Sequence, residues 1–137
     1  MKVKDLRIGD WVTNKMTGCK GQVEEIYSDS VKLKDDSVYD ISFIQPICLT
    51  EEILRNSGFG KDFSHMESTS PYECMYYMKN DSFLCKDIYW FDLCAIYLTD
   101  DQRWKSITIA RIFFVHELQH IFQVLGLDSE LNLDSLA

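Results

Sequence analysis

Two histidines four residues apart, with a glutamate beside the first, are the residues of this chain whose types and spacing could do chemistry: His116-Glu117-Leu118-Gln119-His120. On a helix, positions i and i+4 lie one turn apart on one face, so both imidazoles reach a single tetrahedral Zn²⁺. Glu117 then stands where a general base for a metal-bound water is needed. Such a small zinc-dependent peptidase requires a third protein ligand. The extended motif, with glycine three and histidine six residues after the second histidine, is not met, because Gln123 and Gly126 stand there. Asp128, Glu130 and Asp134 in the short tail, and His65 upstream, are the remaining ligand candidates. Three fixed letters also recur by chance, and two histidines among glutamines on a helix flank need no metal. The reading carried forward takes His116 and His120 as surface or interface groups, with no cofactor and no catalytic residue. The alternative assigns zinc to His116 and His120 and catalysis to Glu117. Elsewhere there is no nucleophile elbow, and Gly58-Phe59-Gly60-Lys61 lacks the spacing and the Ser/Thr of a phosphate loop.

The element that must position the motif is the run from Trp104 to Gly126, which has a helical period. Ile107, Ala110, Phe114, Leu118, Ile121 and Leu125 form one apolar stripe, read as the core face of a long helix over 104–126. The opposite side carries His116, Gln119, His120 and Gln123 beside Ile109 and Ile112, with Phe113 and Glu117 on the flank. Asp100-Asp101 supplies a turn and N-terminal acid before the helix, and Gly126 a stop after it.

Upstream, residues 6–49 alternate short β-like runs with turns, as in Arg7 to Val12, Gln22 to Tyr27, Val31 to Leu33 and Val38 to Ile41. Val23 and Ile26 break strict alternation, so a bulge is expected there, as a small curved barrel needs. The glycines at Gly9, Gly18 and Gly21 suit an SH3-like barrel, and Gly9-Asp10-Trp11-Val12 with Gly21-Gln22-Val23 resembles the strand–turn–strand of KOW and other SH3-like domains. Thr50 caps a short helix that Gly58 ends. This defines a module over 1–59, followed by a polar linker over 60–72 containing His65 and Pro71. Residues 73–137 then hold antiparallel strands at Glu73–Lys79, Ser82–Lys86 and Ile88–Leu98, packed under the long helix. Their tyrosines, Phe83, Trp90 and Phe91 are read as core, and the tail as adding an edge strand near Glu130–Leu133.

With 137 residues, 46% apolar, the chain suits one domain or two very small ones. A net charge of −8 opposes whole-surface attraction to nucleic acid or anionic membrane. Residues 1–34 are the exception, with seven Lys/Arg against five Asp/Glu, so nucleic-acid contact through Lys15, Lys20 and Lys32 is the weaker alternative function. Five cysteines without C-x-x-C spacing fit neither a disulfide framework nor a zinc ribbon. They are read as buried free thiols of a cytoplasmic protein, and no apolar run approaches a membrane span.

Two segments carry a family resemblance: Ile47-Cys48-Leu49-Thr50-Glu51-Glu52-Ile53-Leu54 with Gly58-Phe59, and Val115-His116-Glu117-Leu118-Gln119-His120 with Leu125-Gly126. In these the chain resembles a family of small uncharacterised proteins from gut-bacterial genomes, phages and mobile elements. The resemblance implies a setting without an established activity, and a V-H-x-L-Q helix not recognised as a peptidase. The expectation is an α+β protein that acts without catalysis by binding another protein, or itself, through the back of the long helix. Ile109, Ile112 and Phe113 supply the apolar patch there.

Overall fold

The structure is a computed structural model, and the residues described are 1–59, 74–77, 82–86, 90–126, 131 and 133. Their strands are β1 (Trp11–Asn14), β2 (Lys20–Ile26), β3 (Ser30–Leu33), β4 (Val38–Asp40) and β5 (Ile44–Pro46). Helix α1 (Glu51–Asn56), β6 (Cys74–Tyr77), β7 (Ser82–Lys86), β8 (Phe91–Leu98), β9 (Trp104–Ile112) and helix α2 (Val115–Val124) follow. The chain is α+β, as its residue patterns require. No helix among the described residues is long and apolar enough to cross a membrane.

The chain divides into two units. The first is Met1–Cys48 together with Phe114–Ala137. Its sheet is antiparallel, in the order β4-β3-β2-β1-β5, and is open, with β4 and β5 as its edges. Alternation turns Val12, Val31 and Leu33 inward, and these pack with Leu6, Val23 and Ile44 into one buried cluster. The bulge expected in β2 lies between Val23 and Glu25, where the register against β3 shifts. It lets Val23 stay in the core while the next two residues face solvent. The same unit holds α2, whose first turn is tied to the strand end by Val115 N–H donating to Ile47 O at 2.8 Å. A bridge between Cys48 and Phe114 lies beside it. Leu131 and Leu133 are buried, while the rest of the expected tail strand lies outside the described residues.

The second unit is Leu49–Phe113. Thr50 Oγ1 accepts from Ile53 N–H at 3.3 Å and so caps α1, which ends at Gly58 with φ of 93°. The sheet is a meander in the order β6-β7-β8-β9, all antiparallel. Thr99 to Arg103 make the last hairpin turn, with Gln102 at φ of 64°.

Two expectations are corrected. The long helix over 104–126 does not form: its first part is β9 and only Val115–Val124 is helical. Residues 107–112 satisfy both periods, because Ile107 and Ile109 alternate with Thr108 and Ala110, and a β-branched run beside an available strand pairs as sheet. Asp100-Asp101 accordingly turns a hairpin and starts no helix. The division of the chain into units is discontinuous. The chain leaves the first unit after Cys48 and re-enters it at Phe114, so α1 belongs with the second sheet and α2 with the first. The linker at 60–72 lies outside the described residues. Second, Cys19 and Cys48 are exposed, and of the described cysteines outside disulfides Cys94 is the buried one. Cys19 lies in the β1–β2 connection, where the core does not reach it.

Candidate functional site

Helix α2 starts where Glu117 turns back on the chain. Its Oε1 accepts from the Phe114 N–H at 2.9 Å, satisfying one of the donors a helix start leaves open. That occupies the residue which the zinc reading makes a general base. Val115, Leu118 and Phe122 are buried along the helix, each worth about 1.5–3 kcal/mol of transfer free energy when fully covered.

His116 and Gln119 are buried as well, His116 being only 7% exposed. Two residues of the side expected to lie opposite the core are therefore turned inward while Gln123 there is exposed, and Leu125, assigned to the core stripe, is exposed while Leu118 of that stripe is buried. For Gln119 the reason is the turn before β1. Gly9, at a φ of 94° that disfavours other residues, presents its carbonyl outward from the turn. Gln119 Nε2 donates to this carbonyl at 3.0 Å, while Gln119 Oε1 accepts from Trp11 N–H at 3.0 Å. Gln22 Nε2 donates to the same Gly9 oxygen at 3.1 Å. One glutamine amide thus pairs with the backbone as another strand would, which removes the penalty of burying it.

Asp10 completes the cluster. It is fully buried, and its Oδ2 accepts from Arg7 N–H at 2.8 Å and faces His120 Nε2 at 2.7 Å. The His116 and His120 rings stand edge to face with centroids 5.5 Å apart, and Phe114 stacks on His116 at 5.8 Å. His116 Nδ1 and Asp10 Oδ1 are buried without a hydrogen-bond partner. Burial pushes the His116 imidazole below its ordinary range. The Asp10, Glu117 and Asp5 carboxylates act against that shift and His120 acts with it. Beside the cluster opens a cleft of about 590 Å³ lined by Met1, Lys4, Asp5, Arg7, Pro46, Phe114, His116, Glu117 and His120.

The structure thus brings His116, His120 and Glu117 together, as helical spacing requires, and adds Asp10, Gly9 and Trp11, which spacing did not point to. Asp10 carried a faint signal as an acid beside a glycine in a turn, but nothing local tied it to a helix 110 residues away. Chemically, an aspartate holding His120 Nε2 orients the ring and leaves Nδ1 as its other nitrogen. A zinc ion shared by both rings through Nε2 of His120 would have to displace Asp10. Among the described residues no three His, Cys, Asp or Glu side chains are disposed to hold a metal; His65, Asp128, Glu130 and Asp134 lie outside them. Of the basic residues, Lys32 pairs with Asp36 at 3.4 Å, and Glu25 and Asp36 hold its ammonium above the usual range. Of the apolar patch, Ile109 and Phe113 are exposed and Ile112 is fully buried. No family model, curated protein or solved structure matches the chain.

Proposed function

We propose that this is a non-catalytic protein-interaction protein whose contact surface lies on β9 and Phe113. The observation that carries this reading is the exposure there of three large apolar side chains, Ile107 at 58%, Ile109 at 53% and Phe113 at 42%. The polar groups of the H-E-x-x-H support it from the other side. Glu117 caps its own helix and His120 is held by Asp10, so these groups have structural work that explains their presence.

The first unit is read as SH3-like. Its strand order β4-β3-β2-β1-β5 and the 3-10 turn at Ile41–Phe43 between β4 and β5 support that reading. The free thiols of Cys19 and Cys48 fit a reducing, cytoplasmic setting. A phage or mobile-element origin rests on the segment resemblance alone.

The test places a photoreactive side chain at position 107 and, as a control, at exposed Val124, in cells that produce the protein natively. A discrete protein adduct at 107 and not at 124 is expected. Metal analysis and peptide hydrolysis on the purified protein form the second arm. About one zinc per chain, with turnover lost in Glu117→Gln while the metal stays bound, would replace this reading with the zinc peptidase.

A further inference from the structure

The cleft beside the H-E-x-x-H is lined entirely by the first unit. Its volume of about 590 Å³ falls within the range of about 300–1,000 Å³ usual for small-molecule sites. Lys4 and Arg7 line it, and among the described residues neither is paired with a carboxylate. Arg7 Nη1 reaches the uncharged Gln123 Oε1, at 3.4 Å. The two acids of the lining accept hydrogen bonds from backbone donors. Asp5 Oδ2 accepts from Lys2 N–H at 3.0 Å across the 3-10 turn Val3–Asp5, and Glu117 Oε1 accepts from Phe114 N–H at 2.9 Å.

The start of α2 adds donors. Phe114, at its N-cap, has no side-chain acceptor. With the Phe114 N–H on Glu117 and the Val115 N–H on Ile47 O, the next donor of the unsatisfied first turn is the His116 N–H. A helix start favours an anion wherever it occurs; the His116 side chain is what distinguishes this one. It lines the cleft, is only 7% exposed, and its Nδ1 is buried without a hydrogen-bond partner. An imidazole carries at least one N–H in any protonation state, and among the described residues that of His116 has no protein acceptor. An oxyanion in the cleft supplies an acceptor, and the two cations balance its charge. A cationic ligand would instead meet Lys4 and Arg7. Pro46 and Phe114 give the cleft an apolar wall.

We infer that this cleft binds a small organic oxyanion, its carboxylate or phosphate head held by Lys4, Arg7 and the His116 end of α2, and its apolar body against Pro46 and Phe114. The site shares no residue with the contact surface proposed on β9 and Phe113, and the two are tested separately.

The experiment titrates the isotope-labelled full chain with benzoate, phenyl phosphate and neutral benzyl alcohol, following backbone amides by NMR. At least one of the anions is expected to shift the His116 and Glu117 amides saturably. Tighter phenyl phosphate assigns a phosphate head, tighter benzoate a carboxylate. Benzyl alcohol should bind about tenfold more weakly or worse. Lys4 and Arg7 are exposed, so the Lys4→Gln, Arg7→Gln double variant keeps the fold, and it should lose about tenfold or more in affinity for the anion. Lys15→Gln, at an exposed lysine outside the cleft, should leave affinity unchanged. No saturable shift with either anion up to about 10 mM overturns the inference. So does equal binding of benzyl alcohol, undiminished binding by the double variant, an equal loss in Lys15→Gln, or shifts confined to residues outside the lining.

Discussion

Strand β9 and helix α2 lie within one stretch of sequence with a single apparent period, yet their residues have opposite fates. In α2 the polar His116 and Gln119 are buried; in β9 the apolar Ile107 and Ile109 are exposed. For Gln119 and Ile109 the difference teaches that burial follows available partners more than side-chain polarity. Gln119 is covered because Gly9 O and Trp11 N–H accept and donate at the right places. Ile109 is uncovered where a register shift makes it the extra residue of β9, the last strand of the sheet among the described residues.

The sharpest way to test that contrast is in the core of α2. Leu118→Ala removes a fully buried side chain and is expected to cost about 2–5 kcal/mol in a denaturant titration. A cost near that of a surface change would mean that α2 is not docked as described. Next are the polar ties. Asp10→Ala removes the hydrogen-bond partner of both His120 and Arg7 N–H, and Gln119→Ala strands Trp11 N–H and one bond to Gly9 O. Each should cost about 1–3 kcal/mol. A double-mutant cycle between Asp10 and His120 should give a coupling of about 0.5–3 kcal/mol. Additive effects would show that the pair is not energetically joined.

Acid should separate the two regions further. The His116 pKa is depressed by burial in the folded chain, so between that depressed value and the ordinary value of 6.5 the unfolded chain binds more protons. The His116 contribution to stability is therefore complete above about pH 6.5 and declines as the pH falls through the window, levelling off below the folded-state pKa. Urea midpoints compared at neutral and mildly acidic pH for the native chain and for His116→Phe measure it. The native chain should lose more on acidification, and an equal loss would remove His116 as the group responsible. The smallest effect is expected on β9, where Ile107→Thr should change stability by no more than about 0.5 kcal/mol. A loss of several times that would show Ile107 to be covered, and would remove the exposed patch on which the interaction reading depends.

Much of the architecture was legible in residue order because it is decided locally. Turn glycines and β-branched alternation mark the meander of β1 to β4, the broken alternation at Val23 marks its bulge, and Thr50 and Gly58 mark the ends of α1. The gathering of His116, Glu117 and His120 was equally legible, since four-residue spacing on a helix suffices.

What sequence order could not decide depended on neighbours distant along the chain. Ile107 to Ile112 fit a helix and a strand equally well by period, and pairing with β8 chose the strand, moving the helix start to Phe114. The inward turn of Gln119 required the Gly9–Trp11 turn to arrive from the other end of the chain with a carbonyl and an N–H to pair with. A hydrophobic stripe read alone turns glutamine and histidine to solvent. For Gln119 only the folded chain supplies the hydrogen bonds that make the opposite orientation the stable one.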